Sequence, residues 1–220
     1  AVDADRIEKD GKAYNSFMGI FNINSGFSKF VNRLLDVLFL NLLWILFSLP
    51  IFTIGAATCA AFSVTLKMVD DEEGYVGKMF IKAFKENFKQ ASLMWLITAP
   101  SIYVLYLEWQ VVLKLDDISA IVIIGAIFST AFVIAMNLYT YPLIARYENS
   151  LKNMLKNSFG ICMTYFGRTL FLCFLIALEV LIIFWNNWTL LVGILIGPEF
   201  IIFTVSGISK RIFQQIDKGM

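Results

Sequence analysis

Glu199 follows Gly197-Pro198 near the middle of a long apolar run, Thr189 to Ile208. A charged side chain at that depth costs about 2.5–3.5 kcal/mol on insertion scales, so each one asks for a reason. Proline lacks the amide N–H and frees a backbone carbonyl one turn earlier. A broken helix with an acid at mid-depth is how transporters build a proton or cation site. The other reading is a neutral buried acid, or one facing a small wet cavity. Glu179 stands on the preceding apolar run, and Asn137 and Asn41 stand on two others. Glu199, Glu179, Asn137 and Asn41 are therefore the candidate intramembrane polar site. The two asparagines equally suit hydrogen bonds between helices. Asp36 lies one turn from Arg33, where an ion pair or snorkelling near the inner surface accounts for it, and Glu108 falls at an outer interface.

The second chemistry is cationic. Lys78, Lys82, Lys85 and Lys89 alternate with Val76, Phe80, Phe84 and Phe88 at helical spacing, giving one basic face and one apolar face over Tyr75 to Ala91. The pattern predicts a helix lying in the membrane surface and leading into the next span. Lys78, Lys82, Lys85 and Lys89, with Phe84 and Phe88, are the candidate docking residues for lipid phosphates or a partner. Arg146 to Arg168 repeats the plan. Leu151, Met154, Leu155, Phe159, Cys162 and Phe166 form its stripe, with Lys152 and Lys156 opposite. Tyr139, Tyr141 and Tyr147 beside Arg146 suit interface anchoring or an anionic headgroup.

Several function classes drop out. The chain has no histidine, which removes the commonest general base and metal ligand. Cys59, Cys162 and Cys173 are isolated, with no CxxC, and read as packing residues. Asp70-Asp71-Glu72-Glu73 lacks the EF-hand spacing and reads as a solvated turn. No GxSxG, phosphate loop, zinc-finger spacing or basic tail is present. The expectation is a protein that is not an enzyme, with no cofactor, no metal and no nucleic-acid partner.

These residues need a bilayer to make sense. The chain of 220 residues is 59% hydrophobic and 16% charged, and its mean hydropathy is +0.73. That is the composition of a polytopic membrane protein. Apolar runs at about Leu34–Leu49, Ile51–Met68, Ser92–Trp109, Ile118–Tyr141, Thr169–Phe184 and Thr189–Ile208 predict six spans, with Pro50 and Pro142 as stops and Pro100 as a kink. The second run is rich in Gly and Ala, which allows close helix contact. The first is too long for a signal-peptide core. Ala1 to Phe17 is polar, mixed in charge and without a long apolar period, and reads as a tail outside the membrane domain that occupies residues 18–220.

Placing the N-terminal segment up to Arg33, Lys67–Gln90, Arg146–Arg168 and the C-terminal segment on one side leaves only Lys114 of the 18 Lys and Arg on the other. The positive-inside rule makes the crowded side cytoplasmic. The predicted fold is an all-α bundle. Its six spans form three hairpins, with amphipathic cytoplasmic segments and both termini inside. Trp109, Trp185 and Trp188 would mark the outer interface, and Trp95 the inner.

The residues Asn41, Trp44, Leu49-Pro50, Thr53-Ile54-Gly55-Ala56, Lys67-Met68 and Phe84-Lys85-Glu86-Asn87-Phe88-Lys89-Gln90 together resemble the YesL-like family of bacterial membrane proteins. The resemblance is close over about Met18 to Ile97; the later helices agree mainly in length and spacing, and the polar tail departs from the pattern. It implies a multi-pass protein of the bacterial cytoplasmic membrane associated with carbohydrate ABC importers. It brings no catalytic residues. The expected function is an accessory subunit that touches the importer's permease and ATPase subunits as well as the bilayer. No importer-type EAA loop or nucleotide-binding motif is present, so ATP hydrolysis would come from a partner. The alternative is a small transporter or channel using Glu199, and a membrane scaffold or sensor is a third class.

Overall fold

The computed structural model describes residues 26–70, 74–114 and 119–219. The tail at 1–17 and most of the acidic turn, 71–73, lie outside the described residues. Within them every regular element is helical: α1 (Gly26–Ser48), a 3-10 turn (Ile51–Thr53), α2 (Ile54–Met68), α3 (Val76–Lys114), α4 (Ala120–Leu138), α5 (Thr140–Arg146), α6 (Leu151–Thr164), α7 (Phe166–Ile183) and α8 (Asn187–Lys218). Six helical stretches are long and apolar enough to cross a membrane.

Local chemistry sets the boundaries. Pro50 stops α1, and the Thr53 hydroxyl lies within hydrogen-bond distance of the carbonyls of Phe47 (2.5 Å) and Pro50 (2.6 Å), fixing the turn into α2. Ser119 and Ser150 accept backbone N–H bonds at the starts of α4 and α6. Asn186 caps α8 by accepting from Trp188 and Thr189, while its own N–H donates to the Thr189 hydroxyl. Such caps satisfy amides that the first helical turn leaves without partners.

α2 is the hub, packed against α1, α3, α5 and α8. Its small residues Gly55, Ala56, Ala57, Cys59, Ala60 and Ala61 are all buried. A Cβ at Gly55 would stand 2.2 Å from the Ala91 carbonyl oxygen and 2.7 Å from Trp95 Cβ, so only glycine permits this approach of α2 to α3. The expected close contact through small residues is therefore present at an identifiable crossing.

The surface helix expected over Tyr75–Ala91 is not a separate element. It is the first half of α3, which runs unbroken for 39 residues, about 58 Å at 1.5 Å per residue. Its apolar stripe is spent inside the protein. Val76, Phe80 and Ala83 are buried. The Phe47 ring of α1 stands edge-on to Phe80 at 5.3 Å and to Phe84 at 4.9 Å, and Phe84 meets Phe88 at 5.5 Å. Tertiary contact outcompetes the membrane surface because α1 and α2 offer a ready apolar groove.

Two further expectations change. Pro142 does not end a helix near water; it sits inside the first turn of α5, where a missing N–H is tolerated. α5 is buried against α2, with Ser63 donating to the Ala145 carbonyl at 3.3 Å. Tyr139 and Tyr141 are buried with it, which removes them as interface anchors. The second amphipathic segment does form its own helix, α6. Its inward face is Met154, Ser158, Ile161 and Cys162, leaving Phe159 and Phe166 exposed. Finally, α8 does not stop near Ile208 but continues to Lys218, with Ile212 and Phe213 buried.

The second half of α3 is stapled to α4 by polar pairs. Thr98 donates to Asn137 Oδ1 at 2.5 Å, Ser129 to Glu108 Oε2 at 2.6 Å, and Trp109 Nε1 to Thr130 Oγ1 at 2.9 Å. Thr98 near the middle of α3 meets Asn137 near the end of α4, and Glu108 and Trp109 farther along α3 meet Ser129 and Thr130 near its middle. α7 and α8 pack in the same reversed order, from Ile183 against Gly193 and Gly197 to Arg168 against Gln215.

Candidate functional site

Pro198, inside α8, leaves the Ile194 carbonyl without its helical donor. Asn41 of α1 supplies the missing donor. Its Nδ2 donates to Leu195 O at 2.6 Å and lies 3.4 Å from Ile194 O. The asparagine is fully buried, and its Oδ1 has no hydrogen-bond partner.

Glu199 lies one turn beyond Leu195. It is 0% exposed, and neither carboxyl oxygen has a hydrogen-bond partner. Asn41 bonds the carbonyl four residues before Glu199 on the same helix. A buried polar group without a partner loses its hydration with no return, and a buried charge loses far more. This corner of the bundle therefore sets a buried amide and a buried acid beside an intrahelical proline.

The four candidate polar residues do not form one site. Asn137 serves the α3–α4 seam, accepting from Thr98 and donating to its own helix at Val133 O, 2.8 Å. Glu179 accepts from Thr204 on α8 at 2.6 Å and lines an apolar groove of about 350 Å³ between α7 and α8. Glu199 does not line that groove. Only Asn41 and the Glu199 turn are brought together.

The lysines are exposed as expected. Lys78, Lys82, Lys85 and Lys89 all lie on the open side of α3. Lys82 has a weak contact with Glu86 at 3.9 Å, and Lys78 stands 5.0 Å over the Tyr75 ring. Phe84 and Phe88, in contrast, are half-buried among the rings behind them and are not free to dock. α1 runs alongside this half of α3, from Phe39 against Gly77 to Phe47 against Phe80 and Phe84. The outward side of α1 over the same stretch is Phe39, Leu42, Leu46 and Leu49, all exposed. A basic face and an apolar face thus share the same level of the bundle.

One cationic cluster escaped the sequence reading. Arg33 of α1 donates to Met68 O at 2.8 Å, and Lys210 of α8 donates to Leu66 O at 2.9 Å while pairing with Asp70. Two cations from different helices thus hold the C-terminal carbonyls of α2, the negative end of its dipole. Thr65 and Ser206 bond hydroxyl to hydroxyl nearby at 2.6 Å. The signal was the spacing of Ser206, Ser209 and Lys210 on one face of an otherwise apolar helix.

Arg146 and Tyr147 also act outside the spans, both bonding the Asp217 carboxylate at 2.7 and 2.9 Å. Partial burial and the neighbouring carboxylate push the Tyr147 phenol up to about 12. Among the described residues, no group of three or more His, Cys, Asp and Glu side chains gathers as a metal would need.

Residues 37–109 match a family model described as "Protein of unknown function, DUF624". That window runs from α1 through α2 and most of α3, and holds Asn41, the Gly55 crossing and the lysine face. The chain is also 27% identical over 149 residues to the "Uncharacterized protein YesL" of Bacillus subtilis (strain 168), covering 64% of this chain and 69% of that protein. Both matches support the resemblance to the YesL-like, DUF624 proteins. No solved structure matches it. Of the residues that bear the YesL-like resemblance, Gly55 and Phe84 lie where α2 and α1 meet α3, while Asn41 reaches α8.

Proposed function

We propose that this YesL-like chain is a membrane accessory subunit of a carbohydrate ABC importer, working by helix–helix contact with the permease subunits. In this reading the spans form three hairpins in a bacterial cytoplasmic membrane, with both termini on the cytoplasmic side. The asymmetric spread of lysine and arginine supports that orientation. The importer association is what the family resemblance implies.

The observation that carries the contact reading is the level shared by the α3 lysines and the outward apolar side of α1. If α1 faces lipid, Lys82, Lys85 and Lys89 lie near that same depth, and bare ammonium groups there are unfavourable by a few kcal/mol each on insertion scales. Snorkelling relieves part of that. A partner carrying carboxylates or helix C-termini relieves the rest and gains specificity. No catalytic residue or cofactor enters this reading, and ATP hydrolysis belongs to the partner.

Purification of the tagged full chain in mild detergent from its native membrane tests the proposal. Permease and ATPase subunits recovered at a fixed ratio support it. A chain that purifies alone, and whose reconstituted substrate uptake disappears in Glu199→Gln, favours instead the small-transporter reading. The unpartnered Glu199 carboxyl is the observation behind that second reading.

A further inference from the structure

The buried carboxyl of Glu199 has a consequence that partner contact does not touch. An ionised carboxylate needs hydrogen-bond donors or a cation, and among the described residues no donor bonds either of its oxygens. The charged groups on the surrounding helices are placed elsewhere. On α8 itself Lys210 is eleven residues away, about 16 Å along the axis, and is held by Leu66 O and Asp70. On α7 Glu179 is bonded to Thr204, and Arg168 to Gln215. On α1 Arg33 reaches Met68 O, and Asp36 lines a cavity with Tyr75 and Lys78. On α2 Lys67 lines the cavity shared with Asp70, Arg146 and Lys210. Asn41, whose Nδ2 bonds the Leu195 carbonyl one turn earlier, carries an acceptor without a partner, Oδ1. An acceptor facing a carboxyl favours the neutral acid, which alone of its two forms carries a donor.

We propose that Glu199 is a proton-binding site built into the proline break of α8, with Asn41 as its positioning residue. In the packed arrangement the carboxyl holds its proton at neutral pH. Asn41 Nδ2 satisfies the broken helix, and Asn41 Oδ1 is the acceptor toward which the acid O–H turns. Release transfers that proton to solvent water and leaves a carboxylate, so it requires the α1–α8 seam to open and admit water. Rebinding takes a proton from water and closes the seam, with no other reactant. This inference does not rest on the importer reading, since a proton site serves an accessory subunit or a transporter alike.

Infrared difference spectroscopy on the full chain, reconstituted in lipid with ¹³C-glutamate, reads the protonation state directly. The expected result is a neutral-acid carbonyl band at neutral pH that shifts with the isotope, survives Glu179→Gln and is lost in Glu199→Gln. Glu199→Asp, which keeps an acid, should exchange the labelled band for an unlabelled one, and it serves if the amide variant fails to fold. Absence of any labelled neutral-acid band from the wild-type chain at neutral pH overturns the proposal. A band that persists in both Glu199 variants overturns it as well. Loss of the band on adding sodium at constant pH also overturns it, because the occupant is then a metal cation.

Discussion

Asn41 Nδ2 stands 2.6 Å from the carbonyl of Leu195, so α1 supplies a donor at the break that Pro198 makes in α8. An isolated proline in a membrane helix leaves its freed carbonyl to be satisfied by neighbouring groups, and here Asn41 Nδ2 also lies 3.4 Å from that carbonyl, Ile194 O, from 153 positions away in sequence. Asn41→Leu keeps the volume and removes the donor. It should lower stability by about 1–3 kcal/mol, the usual consequence of leaving a buried acceptor unpaired. Detergent-titrated unfolding of the purified chain measures this. If the variant unfolds with the wild type, the bond contributes nothing to the seam.

Gly55 makes a sharper test because the obstacle is backbone. Its added Cβ would meet Ala91 O at 2.2 Å, and a main-chain oxygen in mid-helix cannot rotate away. Gly55→Ala should force α2 off α3 and lower stability by about 1–3 kcal/mol, as overpacking does. Gly125→Ala is the control, since no atom lies within 4 Å of its would-be Cβ, and it should be neutral or stabilising by up to about 1 kcal/mol. Equal effects at the two positions would contradict the crossing described here.

The contrast between those glycines also shows where sequence reading stopped. Periodicity and run length place six spans without knowledge of partners, because each span is a local property. Glycine and alanine enrichment in Ile51–Met68 points to close packing but cannot say that Gly55 alone meets a carbonyl. The Lys/Phe stripe of Tyr75–Ala91 is equally amphipathic on a membrane surface and against a protein groove. Only Phe47, distant in sequence, decides between them. For the polar site, proline next to acid singled out Glu199, which is buried, whereas Asn41 and Asn137 looked alike. Their different roles depend on which helix lies opposite each one.

The division of labour on α3 separates fold from contact. Lys82, Lys85 and Lys89 are exposed, so reversing all three to glutamate should leave thermal unfolding nearly unchanged while reducing recovery of associated subunits. Phe84→Ala should do the opposite. It removes a half-buried ring that contacts Phe47 and Phe88, and should lower stability by about 2 kcal/mol. Co-purification that survives the triple reversal would return the lysines to plain lipid anchoring.

Tyr147 reports on the joint between α5 and the end of α8. Its hydroxyl donates to Asp217 Oδ1 at 2.9 Å, Arg146 bonds the other carboxylate oxygen, and the ring packs edge-on to Phe213 at 5.6 Å. Burial and the bonded carboxylate hold the phenol up to about 12, against about 10 for a free tyrosine. Because the folded value is raised, this group's contribution to stability is complete below about pH 10 and is lost as the pH rises through about 12. Ultraviolet titration of tyrosinate should therefore show a late-ionising group that is absent in Tyr147→Phe. In Asp217→Asn the carboxylate no longer opposes phenolate formation, so the late group should move down toward the ordinary value. A titration unchanged by both variants would mean that α8 does not close on Tyr147 in the lipid-embedded protein.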